Sequence, residues 1–200
     1  MTDPDRPDDA PLVVRDAAAW RAWLDAHEHD PHGVWLVLAK KGTVEPTSLT
    51  YAQALDEALC SGWIDGQKRS RDEATFLQRF TPRRPRSIWS QRNVEHVARL
   101  VGDGRMRERG HAEVALARAD GRWDRAYAGS ATAEVPADLL AALDAVPAAR
   151  AAFDALDRQG RYSVLHPLMV APGPEVRAQR IARAVARLAD AAGPAGPAGQ

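Results

Sequence analysis

Strand-forming segments are confined to residues 34–82 of this chain, and beyond Pro85 the apolar residues recur at helical spacing. This division predicts a mostly helical α+β fold, with a small antiparallel sheet of about three strands in the N-terminal half. VWLVLAK, from Val34 to Lys40, is β-rich and bounded by Gly33 and Gly42, so it reads as a buried strand that delivers Lys40 and Lys41 to its end. GWIDGQKRSR and ATFLQRFTP are β-compatible and separated by Asp72 and Glu73, which predicts an antiparallel hairpin in the same sheet.

Helices are marked by caps and by the 3.6-residue period. Asp16 can cap a helix that places Trp20, Trp23, Leu24 and His27 on one face. Thr50 and Gln53 form a capping-box pattern ahead of Tyr51, Ala54, Leu55, Ala58 and Leu59, and Gly62 ends it. Ser90 can cap a helix carrying Val94, Val97, Leu100 and Val101, and another runs from Met106 toward Ala119, with Gly102, Gly104 and Gly121 as punctuation. Pro136 and Pro147 suit first-turn positions ahead of the Leu139/Leu140/Leu143 and Ala149/Phe153/Leu156 patterns. Residues 175–190 read as an amphipathic helix, with Ile181, Val185 and Leu188 on one side and Arg177, Arg180, Arg183 and Arg187 on the other.

With 200 residues, 45% of them hydrophobic, the chain has material for one sizeable core. Residues 12–190 read as a single domain, sheet-containing to about residue 121 and helical after it. Residues 1–11, acidic and proline-rich, and 191–200, only Ala, Gly, Pro and Gln, read as disordered tails.

Lys plus Arg and Asp plus Glu both total 27, so no global field draws in polyanions or membrane surfaces, and neither nucleic acid nor membrane is an expected partner. No export signal or membrane span is recognisable, and the single Cys60 suits a cytoplasmic location. One cysteine cannot build a multi-thiolate metal site. His27, His29 and His32 cluster beside Pro31 and Gly33, the marks of a solvated turn, so neither metal nor cofactor is expected. Nucleophile-elbow, Walker and His-Glu-x-x-His motifs are absent from the sequence.

The stretch from Cys60 to Asn93 is where chemistry concentrates. In a strand over residues 62–69, Trp63 and Asp65 share a face, which makes Asp65 a candidate acid/base; the alternative is a carboxylate that holds an arginine. Lys68 follows. Arg79, Arg83, Arg84, Arg86 and Arg92 lie within fourteen residues, stiffened by Pro82 and Pro85 and accompanied by Ser87, Trp89, Ser90 and Asn93. Arginine forks bind carboxylate or phosphate, and a helix start after Ser90 adds oriented N–H groups. The candidate ligand set is therefore Trp63, Lys68, Arg79, Arg83, Ser87, Trp89, Ser90 and Asn93, around a small anionic or aromatic ligand. The structural alternative makes Trp63 and Trp89 core and Ser90 a cap. Cys60 reads as buried, although a thiol near Lys68 or Arg69 could be a nucleophile.

The blocks ALCSGWIDGQKR, RFTPRRPRSIWSQRN, GRM, ADGRW and VPADLLAAL, in this order, resemble the bacteriocin-protection family, also called YdeI or OmpD-associated proteins. The resemblance runs from about Val34 to about Leu143, with a weaker echo in VRAQRIARAVARL. The chain departs from the family pattern at Ala171-Pro172 and Glu175-Val176-Arg177, where such proteins commonly read Ala-Lys and Glu-Thr-Arg. The resemblance implies a cytoplasmic bacterial protein of mixed α and β structure, linked to antimicrobial-peptide or envelope stress and without an established reaction. Three functions fit: a small-ligand binding protein, an enzyme using Asp65 on that ligand, or a protein-interaction module using the arginine-striped terminal helix.

Overall fold

The computed structural model describes residues 10–28 and 30–192; the predicted tails lie almost wholly outside the described residues, as does His29. The chain divides into two compact units: residues up to Trp89 with Asn93–Arg125, and Ser90–Arg92 with residues from Ala126 onward.

The first unit holds a three-stranded antiparallel sheet of β1 (Val34–Ala39), β2 (Trp63–Ser70) and β3 (Thr75–Pro82), in the order β1-β3-β2. This is the small N-terminal sheet the sequence predicts. Leu12 adds a parallel bridge to the free edge of β1, its amide donating to Trp35 and its carbonyl accepting from Val37. The β2/β3 register breaks between Asp65 and Lys68, where the buried Gln78 amide donates to the Gly66 and Gln67 carbonyls and so satisfies the bulge.

Helices α1 (Ala17–Ala26) and α2 (Tyr51–Cys60) cover one face of this sheet, with Trp20, Leu24, Leu36, Leu38, Ala54, Ala58, Trp63 and Phe80 in one core cluster. Both caps form as the sequence predicts: Asp16 accepts from the Ala19 amide at 2.9 Å, and Thr50 and Gln53 make a reciprocal capping box. Trp20 is fully buried and its indole N–H donates to the Ala54 carbonyl at 3.1 Å, so burying the ring leaves no orphan donor.

Helix α3 (Gln91–Gly102) begins directly after Ser90, and α4 (Glu108–Ala119) starts two residues later than the pattern from Met106 suggests. Gly110 allows α4 to touch the end of α2, because a Cβ there would come within 2.3 Å of the Cys60 carbonyl oxygen. Charges fasten the same elements. Glu57, 8% exposed, accepts from Arg105 and Arg107 at 2.7 Å each, while Asp56 accepts from Arg99 at 2.6 Å. The Arg107 guanidinium also donates to Ser61 Oγ at 2.6 Å. Two adjacent carboxylates on α2 thus anchor the segment from α3 to α4, with the charges compensated on burial.

The second unit contains α5 (Ala137–Asp144), α6 (Pro147–Asp154), α7 (Arg158–Met169) and α8 (Pro174–Ala191). Leu139, Leu143, Phe153, Val164, Leu165, Leu168, Ile181, Val185 and Leu188 form its core. Pro147 occupies a first-turn position of α6 as predicted, whereas Pro136 sits one place earlier, at the N-cap of α5. Helix α7 is not marked by the sequence reading, since Gly160 and Pro167 interrupt its pattern. It forms because Asp157 caps it through the Gly160 amide at 2.7 Å and because Val164, Leu165 and Leu168 are buried. The arginine line on α8 is not a uniform solvated stripe: Arg177 is chelated by Asp138 at 2.6 and 2.9 Å, and Arg180 donates to the Pro167 carbonyl.

No described helix is long and apolar enough to cross a membrane.

Candidate functional site

The glycine that ends α2 builds one wall of the site. Gly62 has φ +73°, and a Cβ there would lie 3.0 Å from Glu113 Cγ and 3.2 Å from the Arg109 side chain and carbonyl, so the α2–β2 turn passes tightly over α4. Its carbonyl accepts from the Arg83 amide at 3.0 Å, which fixes the end of β3 beside it. Just past that point the Arg83 guanidinium stacks over the Trp89 ring at 3.4 Å and donates to the Ile88 carbonyl at 3.2 Å. Arg83 is only 5% exposed, and Trp89 2%.

A second aromatic supports this pair. Trp123 lies 4.9 Å from Trp89, tilted by 59°, and Arg118 sits over the outer ring at 5.1 Å. Arg122 clamps the loop from below, with bonds to Asp120 at 2.7 and 2.9 Å and to the Ser87 carbonyl at 2.8 Å. The Ser87 hydroxyl accepts from the Arg84 amide, so it shapes the loop. The buried indole N–H groups of Trp63 and Trp89 have no hydrogen-bond partner among the described residues.

Glu113 is the titratable centre of this region. Burial pushes its carboxyl above the ordinary range, against the attraction of Arg109, Arg83 and Arg122. Arg122 is already paired with Asp120, so the positive charge that faces Glu113 comes from Arg83 and Arg109.

The predicted residues separate accordingly. Arg83, Ser87 and Trp89 come together. Trp63 is fully buried in the core, edge-on to Trp23 at 5.8 Å. Asp65 is half-buried and accepts from the Tyr51 hydroxyl at 2.7 Å, holding a phenol rather than an arginine. Lys68 packs over Phe76 at 4.4 Å, and Arg79 lies over Trp35, its register partner, on the sheet face opposite Phe80. Asn93 stands in α3 of the first unit, while Ser90 belongs to the second unit, where it bridges Tyr127.

Arg109, Glu113, Arg122 and Trp123 carry no site role in the sequence reading. A signal existed, because Arg109 and Glu113 are four apart on a predicted helix and therefore share a face. The ADGRW block likewise contains Arg122 and Trp123.

Cys60 is buried, its thiol pushed up to about 11, mainly by burial and then by Glu57, which removes it as a nucleophile. His27 stacks flat on Trp23 at 4.1 Å with its ring nitrogen 2.8 Å from the Trp23 carbonyl, and the His32 amide donates to Asp30. No cluster of metal-ligating side chains occurs among the described residues.

Residues 12–113, half of the chain, match the family model for a domain of unknown function designated DUF8412. The chain belongs to that family. Residues 132–191 match a second model, described as bacteriocin-protection, YdeI or OmpD-associated. The DUF8412 region contains the first three of the blocks quoted above, together with Arg83, Trp89, Arg109 and Glu113. The bacteriocin-protection match takes in VPADLLAAL and the whole terminal helix, including its departures from the usual pattern. No curated protein and no solved structure matches the chain.

Proposed function

We propose that this chain is a cytoplasmic protection protein of the bacteriocin-protection type, whose DUF8412 region captures a small anion, carboxylate or phosphate, at Arg83. The observation that carries the reading is the Arg83 guanidinium, 5% exposed and stacked on Trp89 at 3.4 Å. An indole face fixes the plane of the fork, so its N–H groups are oriented before a ligand arrives and little entropy is lost on binding. Arg109 supplements the charge, and Trp123 extends the aromatic surface for a ligand that carries a ring. The bacteriocin-protection match supports the physiological half of the reading.

A thermal-shift screen with inorganic phosphate, small carboxylates and aromatic acids tests it on wild type and Arg83→Ala. A ligand at a hundred times its Kd stabilises by about 2.7 kcal/mol. The shift should appear in wild type and vanish in the variant; a shift of equal size in both removes the site. Cells that depend on the protein for survival against an antimicrobial peptide should lose that survival with the same variant.

A second reading, acid/base chemistry on the bound anion, rests on the raised carboxyl of Glu113 rather than on Asp65. Turnover unaffected by Glu113→Gln would remove it.

A further inference from the structure

Helices α7 and α8 flank a groove of about 220 Å³ in the second unit, lined by Ser163, Val164, Leu168, Arg180, Arg183 and Arg187. We propose that this groove is a docking site for an acidic amphipathic helix of a partner protein. The proposal is independent of the Arg83 site, because its residues lie in the other unit.

Charge complementarity is the first support. Arg177 is chelated by Asp138, and Arg150 is held by Asp144 and Asp154 at 2.6 and 2.8 Å. Arg183 and Arg187 are exposed and carry no ion pair among the described residues. Their neighbour Arg180 spends one N–H on the Pro167 carbonyl and keeps its other donors. Positions 180, 183 and 187 span about 10 Å of helix rise and share one face. Carboxylates at the same spacing on an opposing helix would meet all three, whereas a single small anion could not lie under every fork.

The remaining lining fixes the second half of the partner's chemistry. Exposed Pro167 and the methylene stems of the three arginines bring apolar surface to the groove, over a floor of the buried Val164, Leu168 and Ala184. A partner that presents only charge would leave this surface uncovered, and a purely apolar one would bury guanidinium groups at a cost. An amphipathic acidic helix satisfies both.

The test is fluorescence anisotropy of a fluorescein-labelled Leu/Glu amphipathic helix peptide titrated with the full chain. A Leu/Lys counterpart and phosphatidylglycerol vesicles serve as comparisons. Wild type should bind the Leu/Glu peptide, and Arg183→Glu with Arg187→Glu should weaken binding by at least about tenfold. The Gln pair should give a smaller loss, and Arg83→Ala should leave binding unchanged. The proposal is overturned if wild type does not bind the peptide, if the charge-reversed pair binds equally well, or if the Leu/Lys peptide or the vesicles bind in its place. Far-UV circular dichroism of the variants checks that these exposed substitutions leave the helices formed.

Discussion

Arg83 rests on Trp89 with 3.4 Å between guanidinium carbon and ring centroid, and both side chains are almost completely buried. A cation this deep is tolerated because the indole face and the Ile88 carbonyl replace part of its hydration.

Substitutions at this pair should separate stacking from charge. Arg83→Ala should lower stability by about 1–2 kcal/mol through the lost cation–π contact. Arg83→Lys should keep much of that stability but lose anion-dependent stabilisation, since an ammonium has no planar fork to orient. Urea denaturation with and without phosphate measures both; equal ligand response in Lys and Arg proteins would show that geometry is irrelevant there.

Glu113 gives a pH signature. Its folded carboxyl is raised mainly by burial, so in the window above the ordinary 4.5 the folded state binds the proton more tightly than the unfolded one. Stability from this group therefore falls as pH rises through that window, and the ionised form is a cost at neutral pH. Glu113→Gln should stabilise the protein at pH 7 and do little at pH 4. Loss of stability at pH 7 would mean that pairing with Arg109, Arg83 and Arg122 outweighs burial, and equal stabilisation at both values would mean that the effect is not linked to the carboxyl's proton.

Glu57 should behave oppositely. Its carboxylate is 8% exposed and answers two arginines, so Glu57→Gln leaves Arg105 with Asp56 at 3.3 Å and Arg107 with Asp25 at 3.0 Å as their remaining counter-ions. Arg105 is partly exposed, which screens some of the loss, and the expected destabilisation is about 2–3 kcal/mol. A denaturation midpoint unchanged from wild type would rule out a stabilising role for the network.

Cys60 should be silent in the folded protein. With its thiol near 11, about one molecule in ten thousand is thiolate at neutral pH, and the sulfur is buried. A thiol-reactive disulfide reagent should label it only after unfolding, and Cys60→Ser should retain any binding activity. Rapid labelling of native protein would contradict the buried placement.

Sequence alone determined the elements whose signals are local. The Asp16 cap, the Thr50/Gln53 capping box and the two β-segments around Asp72 and Glu73 rest on neighbouring residues, and all of them form. The bacteriocin-protection model matches residues 132–191, where VPADLLAAL and the terminal-helix echo lie, while three of the other four quoted blocks fall in the DUF8412 region and ADGRW in neither match.

Tertiary structure decided what depends on distance in the chain. Helix α7 forms despite Gly160 and Pro167 because burial of Val164, Leu165 and Leu168 outweighs a weak local pattern. Asp65 meets Tyr51 rather than an arginine, Lys68 and Arg79 lie on opposite faces of the sheet, and Arg83 stands beyond the end of β3, held by the Gly62 carbonyl. Arg109, Glu113, Arg122 and Trp123 join Arg83 and Trp89 only through the packing of α4 against the Gly62 turn. Charge pairing and ring stacking act over a few ångströms of space, and only the packed chain brings such residues that close.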